Sequence, residues 1–188
     1  MRVFIVRHGE SENNKKGLWC GQYNSPLTEK GKQDAEGARA ILEQVSFDKI
    51  YSSDLDRAAE TAEIAVPGCI YQKNPILREI NVGSLSNKPT SVLSDEDKAE
   101  VLKNGYTAFG GETREDFQKR IQSFKKELES MELGNVGVFC HAGWLKGFLK
   151  EVMGMSIPTE KFCCNNCTVA IFEYENSKWK LHSWINLL

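Results

Sequence analysis

The sequence predicts an α/β domain, in which buried strands alternate with amphipathic helices. Two observations indicate this class. The runs at 3–6 and 136–140 consist of apolar and small residues, as in strands covered on both faces. Between such runs, apolar residues recur at the three- and four-residue spacing of a helix. The chain has 188 residues and no repeat or linker, so we expect a single domain over 1–188.

Apolar spacing and stop signals define the elements of the first half. The helix that begins after Thr28 carries Ala35, Ala38 and Leu42 on one face. A second helix is expected to end before Pro67-Gly68, because proline cannot continue a helix. In chain order, the predicted elements are a strand at 3–6, a helix after Thr28, a strand at 49–51, a helix at 55–65 and a further strand candidate at 69–71.

The second half begins with an irregular region from 80 to 112, in which a helix is predicted near 91–104. Thr113, followed by Asp116, resembles a capping box at the start of a helix whose apolar face extends to Met131. The remaining predicted elements are a strand at 136–140, a helix at 145–153, and strands at 168–174 and 179–185.

The last predicted strand alternates, with Trp179 and Leu181 on one face and His182 and Trp184 on the other. Such a strand is compatible with pairing across a dimer or with an edge inside one chain. We therefore expect a monomer or a homodimer.

Composition excludes several classes of function. Lys and Arg number 24 against 26 Asp and Glu, a formal net charge of −2, so we expect no nucleic acid partner. No apolar run approaches the ~18 residues of a membrane span, so we expect no membrane association. The apolar run at 3–6 is shorter than the core of a signal peptide, which has about 7–15 residues. We therefore expect a cytoplasmic protein.

The six cysteines are expected to be reduced, because a chain of this length without an export signal needs no disulfides. Cys164 and Cys167 have the spacing of a zinc-binding pair, but no second pair of ligands is evident. We predict neither a metal site nor a cofactor.

Two of the three histidines lie in the same sequence context. His8 and His141 each follow an apolar strand run and precede a glycine within two residues. In open α/β sheets, ligands bind beyond the carboxyl ends of the strands. A single histidine there usually satisfies a backbone carbonyl, but two in the same context favour a binding or catalytic site.

Two arginines and a carboxylate are expected at the same edge. Arg7 precedes His8, and Arg57 follows the second predicted strand. Guanidinium groups bind phosphate through paired hydrogen bonds, and a neutral imidazole can attack phosphorus. Glu79 follows the third strand candidate and is the best candidate for the acid that protonates a leaving oxygen.

These residues resemble the signature of the histidine phosphatase superfamily, the phosphoglycerate mutase-like proteins. The Arg-His-Gly triplet alone is a weak signal, whereas the ordered set from residue 7 to residue 143 is specific. The matching blocks are Arg7-His8-Gly9-Glu10-Ser11 with Asn14, Pro26-Leu27-Thr28-Glu29-Lys30-Gly31, Ser52-Ser53-Asp54-Leu55-Asp56-Arg57-Ala58, Leu77-Arg78-Glu79-Ile80, Gly110-Gly111-Glu112-Thr113 and His141-Ala142-Gly143.

The resemblance implies a three-layer α/β/α sandwich around a mostly parallel sheet, and metal-independent chemistry. It implies that His8 becomes phosphohistidine, and that Glu79 protonates the leaving oxygen and then assists water. The phosphate pocket that it implies consists of Arg7, Arg57, His141 and Asn14.

Hydrolysis and mutase chemistry both use phosphohistidine, so the surrounding residues decide between them. Mutases of the resembled family that depend on a bisphosphate cofactor carry added bases after the acid, which grip a second acidic group. Here the stretch from Glu79 to Gly110 contains three bases, Lys88, Lys98 and Lys103. Their scarcity favours a phosphatase for a small phosphomonoester, such as α-ribazole phosphate or a sugar phosphate. A phosphoglycerate mutase is the alternative.

Departures from the family pattern concern the substrate side. Cys20 stands before Gly21 where many relatives have Thr, Ser or Gln, and Ala142 replaces a common Gly. We expect Cys20, Gly21 and Ala142 to contact the substrate. Non-catalytic members usually lose a histidine or the first arginine, and this chain keeps them, so a phospho-ligand-binding module is less favoured. Further candidates to line the pocket, with ordinary packing as the alternative, are Tyr23, Phe109 and Trp144.

Overall fold

A computed structural model of the chain describes residues 1–154 and 162–187. Its strands are β1 (Arg2–Arg7), β2 (Lys49–Ser52), β3 (Gln72–Lys73), β4 (Asn135–Cys140), β5 (Val169–Glu175) and β6 (Lys178–Ile185). They form one sheet in the order β3-β2-β4-β1-β5-β6. The pairings β3–β2, β2–β4 and β4–β1 are parallel, and β5 is antiparallel to both of its neighbours. The prediction of a mostly parallel sheet is therefore confirmed.

Most of the helices begin at side-chain caps that the sequence supplies. Thr28 accepts a hydrogen bond from the amide of Gly31, and Thr113 accepts one from the amide of Asp116. The carboxylate of Asp116 bonds the Thr113 hydroxyl instead of its backbone N–H, so the reciprocal half of the capping box is missing. The helices are α1 (Glu12–Lys15), α2 (Glu29–Leu42), α3 (Asp56–Ala65), α4 (Asp95–Asn104), α5 (Arg114–Glu129) and α6 (Ala142–Met153).

Alternation along the strands divides the core into two layers. From β1, Val3 and Ile5 join a buried cluster with Phe124 of α5 and Phe148 of α6. Phe4 and Val6 face the other side, where α2 and α3 supply small residues that include Ala38 and Ala62. Helices thus cover both faces of the sheet, and the prediction of a three-layer sandwich is confirmed.

Three local predictions need correction. The third strand is at Gln72–Lys73 instead of 69–71, because only those residues reach the edge of β2, and Ile70 is 95% exposed. The helix predicted near 91–104 starts at Asp95, where the Ser94 side chain caps it. In β6, a register shift leaves His182 unpaired, so the strict alternation fails and Trp184 packs against the same cluster as Trp179.

The irregular region forms a small layer of its own, here called the cap segment (residues 80–112). Val82, Leu85, Leu93 and Val101 form a separate apolar cluster, against which Trp19 packs. A backbone bridge between Leu18 and Pro89 joins this segment to the loop that follows α1.

Candidate active site

Three neighbouring parallel strands end at one edge of the sheet and bring the candidate residues together. His8 follows β1, His141 follows β4 and Ser53 follows β2. The ladder continues past the strand ends, since the amide of His8 donates to the Cys140 carbonyl at 3.0 Å. The two imidazole rings lie 5.1 Å apart between centroids. The order of the strands therefore places two residues that are distant in sequence side by side.

The hydrogen bonds of His8 define its tautomer. Its Nδ1 lies 2.7 Å from the carbonyl oxygen of Gly9, which can only accept, so the proton sits on Nδ1. Nε2 is then the acceptor, and the Nε–H of Arg57 donates to it at 3.1 Å. Burial, followed by the charges of Arg57 and Arg7, holds the pKa of His8 well below 6.5. The ring is thus neutral with a lone pair on Nε2, the form in which histidine is a nucleophile.

Arg57 is 1% exposed and is oriented by backbone carbonyls. Its two terminal nitrogens donate to the carbonyls of Tyr23 and Gly21, each at 2.8 Å. Gly21 has a φ of +49°, and a Cβ there would lie 2.6 Å from a methyl carbon of Val82. Gly21, expected to contact substrate, makes its observed contact with Arg57 through its carbonyl, and so holds the guanidinium next to His8.

His141 is fully buried, and Ser53 orients its ring. Its Nε2 lies 2.9 Å from the Ser53 hydroxyl, which also accepts from the amide of Leu55. A hydroxyl can donate to this nitrogen or accept from it, so the contact fits either tautomer of His141, with the proton on Nδ1 or on Nε2. That Nδ1 has no partner among the described residues. Burial, followed by the charge of Arg57, lowers the pKa of His141 well below 6.5, so the ring is neutral and its Nδ1 is available to a bound ligand.

Arg7 and Asn14 complete the polar lining near His8. One terminal nitrogen of Arg7 donates to the Cys164 carbonyl at 2.5 Å, while its buried Nε–H has no partner within the described ranges. The side-chain oxygen of Asn14 accepts from the Ser11 amide and from the Asn166 side chain, both at 3.2 Å. The amide nitrogen of Asn14 is therefore the group left to contact a substrate.

Glu79, which directly precedes the cap segment, lies at the same edge of the sheet. One carboxylate oxygen accepts from the amide of Ile80 at 3.0 Å, and the other accepts from the amide of Gly143 at 2.8 Å. Gly143 lies in the first turn of α6, which begins directly after His141. The start of this helix therefore supplies both a histidine and the hydrogen bond that fixes the carboxylate.

The remaining candidates lie at different depths. Cys20 is partly buried, and burial raises the pKa of its thiol. Ala142 opens α6 beside His141. Trp144 is fully buried, stacks on Phe148 and donates to a backbone carbonyl, so packing is the correct interpretation there.

The two remaining pocket candidates, Phe109 and Tyr23, make contacts that the pocket prediction did not include. Phe109 packs in the cluster of the cap segment. Tyr23 is 46% exposed and contacts Arg57 through its carbonyl.

Sequence reasoning missed several residues that hold the site. Ser53 orients His141, and the Asn166 side chain donates to the His8 carbonyl at 3.1 Å. Gln22 donates to the Glu79 carbonyl at 3.1 Å. For Ser53 a signal existed, because it follows a strand that ends at the same edge; the other two come from loops whose course the sequence does not reveal.

In the described ranges, 1–154 and 162–187, no three His, Cys, Asp or Glu side chains converge in a way that would hold a metal ion. All six cysteines are free thiols. Among these same residues, no helix has the length and apolar character that crossing a bilayer requires.

The fold and the site define a class: a three-layer α/β/α protein in which two neutral histidines follow neighbouring parallel strands and lie with two arginines at the same end of the sheet. Comparison with known proteins gives the family. The chain belongs to the histidine phosphatase superfamily (branch 1), whose sequence pattern matches residues 3–187. The family that the sequence motifs resemble is thereby confirmed.

Relatives and solved structures match over nearly the whole chain. The probable phosphoglycerate mutase GpmB of Escherichia fergusonii is 30% identical over 195 aligned positions, which cover 98% of this chain and 90% of the relative. The alpha-ribazole phosphatase from Shigella flexneri is 26% identical with a TM-score of 0.86, over 98% of this chain and 96% of that one. A phosphoglycerate mutase from Thermus thermophilus is 27% identical with a TM-score of 0.77, over 100% of this chain and 99% of that one.

Proposed function

We propose that this protein is a phosphomonoesterase that hydrolyses a small phosphorylated metabolite through a phosphohistidine intermediate. The observation that carries the proposal is the state of His8: it is neutral, its proton is held on Nδ1 by Gly9, and its Nε2 faces Arg57. A neutral nitrogen beside a buried cation combines a nucleophile with stabilisation of phosphoryl charge.

In the first half-reaction, Nε2 of His8 forms a bond to phosphorus as the bond from phosphorus to the ester oxygen breaks. Arg7, Arg57 and His141, which donates from Nδ1 in the tautomer that this proposal requires, stabilise charge on the phosphoryl oxygens. The protonated carboxyl of Glu79 gives its proton to the leaving oxygen, which departs as an alcohol.

In the second half-reaction, the carboxylate of Glu79 accepts a proton from water. The water oxygen bonds to phosphorus, the P–N bond to His8 breaks, and inorganic phosphate leaves. His8 returns to its neutral tautomer with the proton on Nδ1, ready for the next substrate.

A mutase is the second candidate, because two of the matched proteins carry that name. A bisphosphate would need free cations for its second acidic group, since a buried or enclosed anion must be paired. Between Glu79 and Gly110, the three lysines are exposed, and Lys98 pairs with Asp95 at 2.8 Å.

Two arginines near the acid, Arg78 and Arg120, are each paired with a carboxylate. Arg78 pairs with Asp54 at 2.5 Å, and Arg120 pairs with Glu112 at 2.8 Å. These pairings favour a substrate with one phosphoryl group and water as its final acceptor. Phosphatase chemistry is therefore the function that the site supports best.

The substrate class that we propose is a small phosphomonoester in the size range of α-ribazole phosphate or a sugar phosphate, enclosed under the cap segment. An alpha-ribazole phosphatase is among the matched structures. The free thiols are typical of a reducing compartment, and we propose a cytoplasmic enzyme.

The test is phosphate release from a panel of phosphomonoesters in the presence of EDTA, with α-ribazole phosphate, sugar phosphates and phosphoglycerates included. We expect turnover by the wild type, loss in His8→Ala, and full activity in His182→Ala, since His182 is exposed and unpaired in β6. Acid-labile, base-stable phosphate should be trapped on His8 during turnover. Absence of turnover on the whole panel contradicts the proposal, and so does full activity of His8→Ala.

The mutase alternative has its own assay, the interconversion of 3- and 2-phosphoglycerate. A requirement for added 2,3-bisphosphoglycerate would replace the phosphatase proposal with mutase activity. Hydrolysis without that requirement supports the phosphatase.

A further inference from the structure

Arg120, a residue of α5, binds the segment that carries the acid. One of its terminal nitrogens donates to the carbonyls of Ile76 and Arg78, at 2.5 and 2.6 Å. The other donates to the carbonyl of Glu79 at 3.0 Å. One side chain from a regular helix therefore contacts three carbonyls in the space of four residues.

The remaining hydrogen bonds of Arg120 go to Glu112, the acidic residue of the Gly110-Gly111-Glu112-Thr113 block. The two carboxylate oxygens accept from Nε and from a terminal nitrogen at 2.8 and 3.1 Å. Both side chains are largely buried, at 16% and 15% exposure. Glu112 in turn accepts from the amide of Asn81 at 3.2 Å, so the carboxylate binds the acid-bearing segment on its far side.

Every N–H of this guanidinium is used. The single Nε–H goes to Glu112, two N–H groups go to Ile76 and Arg78, and two go to Glu79 and Glu112. The plane of the group also lies over the Phe117 ring, with its carbon 4.5 Å from the ring centroid. Lysine has three donors on one nitrogen and cannot reproduce this arrangement.

The segment from 79 to 82 has no regular secondary structure, so neither the sheet nor a helix ladder determines where Glu79 lies. Its carboxylate is held by the amide of Gly143, and its carbonyl by Arg120 and Gln22. We propose that Arg120, locked by Glu112, is the positioning residue that sets the distance from Glu79 to the leaving oxygen. This inference rests on the proposed phosphatase function.

Comparing two substrates with different leaving groups distinguishes a displaced acid from a loss of folded protein. An alkyl phosphate releases a strongly basic alkoxide and needs the proton, whereas p-nitrophenyl phosphate releases a weakly basic phenolate and needs it little. A displaced Glu79 therefore slows phosphorylation of His8 by the alkyl ester selectively. A loss of folded protein lowers both rates by the same factor.

The experiment measures the single-turnover rate of phosphohistidine formation with both esters, by rapid quench, in Arg120→Met and Glu112→Gln. Arg120→Met leaves the Glu112 charge buried and unpaired, which destabilises the fold; Glu112→Gln keeps the size and one acceptor and is the milder variant. Lys119→Met is the matched control, because Lys119 is the neighbouring residue on α5 and its side chain is 62% exposed.

We expect the alkyl rate to fall about 10²-fold in Arg120→Met and about tenfold in Glu112→Gln, with the aryl rate changing less than about threefold, because a positioned acid contributes about 10²–10⁴-fold. Lys119→Met should match the wild type on both esters. Equal losses on both esters in the folded variants overturn the positioning role. Failure of the wild type on both esters instead contradicts the proposed function.

Discussion

Gly143 offers a direct test of whether the acid works from its observed position. A Cβ built at this residue would lie 2.3 Å from one carboxylate oxygen of Glu79 and 3.0 Å from its carboxyl carbon. Gly143→Ala therefore cannot form without displacing the carboxylate. The backbone of α6 is fixed by its own ladder and by the buried strand before it, so the Glu79 side chain has to move.

The size of the displacement follows from the contact distance. A carbon and an oxygen need about 3.3 Å at van der Waals contact, so the carboxylate must move by about 1 Å. A 1 Å misplacement of a catalytic group costs about 10²-fold in rate, which corresponds to about 2.7 kcal/mol of transition-state stabilisation. Stability should change little, since the gain of about 1 kcal/mol from alanine in a helix offsets one lost hydrogen bond of about 1 kcal/mol.

The assay compares kcat on an alkyl phosphomonoester with the melting temperature in a double-mutant cycle of Gly143→Ala and Glu79→Ala. If the methyl group acts through the carboxylate, Gly143→Ala costs about 10²-fold alone and little in the Glu79→Ala background. Equal costs in both backgrounds, or wild-type activity of Gly143→Ala, would refute this account of the acid.

Three further outcomes concern pH, the core and chain packing. Burial, followed by Arg57, lowers the pKa of His8 and His141 well below 6.5. Below about pH 6.5 the unfolded chain therefore takes up protons that the folded protein does not. Urea unfolding should show that the unfolding free energy falls as the pH is lowered, by up to about 1.4 kcal/mol per pH unit for each histidine. Tyr51→Phe removes the 2.9 Å hydrogen bond to Glu127 and should lower the unfolding free energy by about 1–2 kcal/mol without changing kcat/KM. Gly31→Ala places a Cβ 2.1 Å from the backbone oxygen of Glu10, in the loop after His8. This substitution should lower the unfolding free energy by about 1–3 kcal/mol and should also lower the activity.

Each of these outcomes has a matched control. His182→Gln should keep the pH slope of the wild type, whereas His141→Gln should reduce it; an unchanged slope in His141→Gln contradicts the buried neutral assignment. For the core, a fall in kcat/KM of Tyr51→Phe would mean that the hydroxyl serves the site. Gly37→Ala lies on the same helix as Gly31, and its Cβ meets only a side-chain carbon, at 3.3 Å. The unfolding free energy and activity of Gly37→Ala should remain close to those of the wild type. Equal losses in both variants would contradict the prediction that the close contact at Gly31 is responsible.

Local patterns predict most of the fold. Burial on both faces explains why the β1 and β4 runs are recognisable, and helical spacing with Thr28 and Thr113 as caps explains the starts of α2 and α5. The predictions were wrong where the pairing of a strand with its neighbour determines the structure. Strand β3 is defined by the edge it pairs with, and the bulge at His182 is defined by the register of β5.

The candidate site divides in the same way. His8, His141, Arg7 and Arg57 can be proposed from their positions after apolar runs, since residues at the ends of parallel strands share one edge. Most of what they donate or accept cannot be proposed, because, apart from the Gly9 carbonyl next to His8, their partners lie in other segments. Trp144 shows the limit: next to a site residue in sequence, it nevertheless lies in the core.

By itself, the sequence determined the α/β class, the order of the elements and the residue types available for phosphoryl chemistry, because these depend on spacing along one segment. Only the tertiary structure decided how those residues are held. Ser53 orients the His141 ring, and the Gly21 carbonyl orients the buried guanidinium. Arg120 reaches Glu79 from a helix that lies 41 positions away in the sequence. Such contacts arise from packing between segments, and no local pattern encodes them.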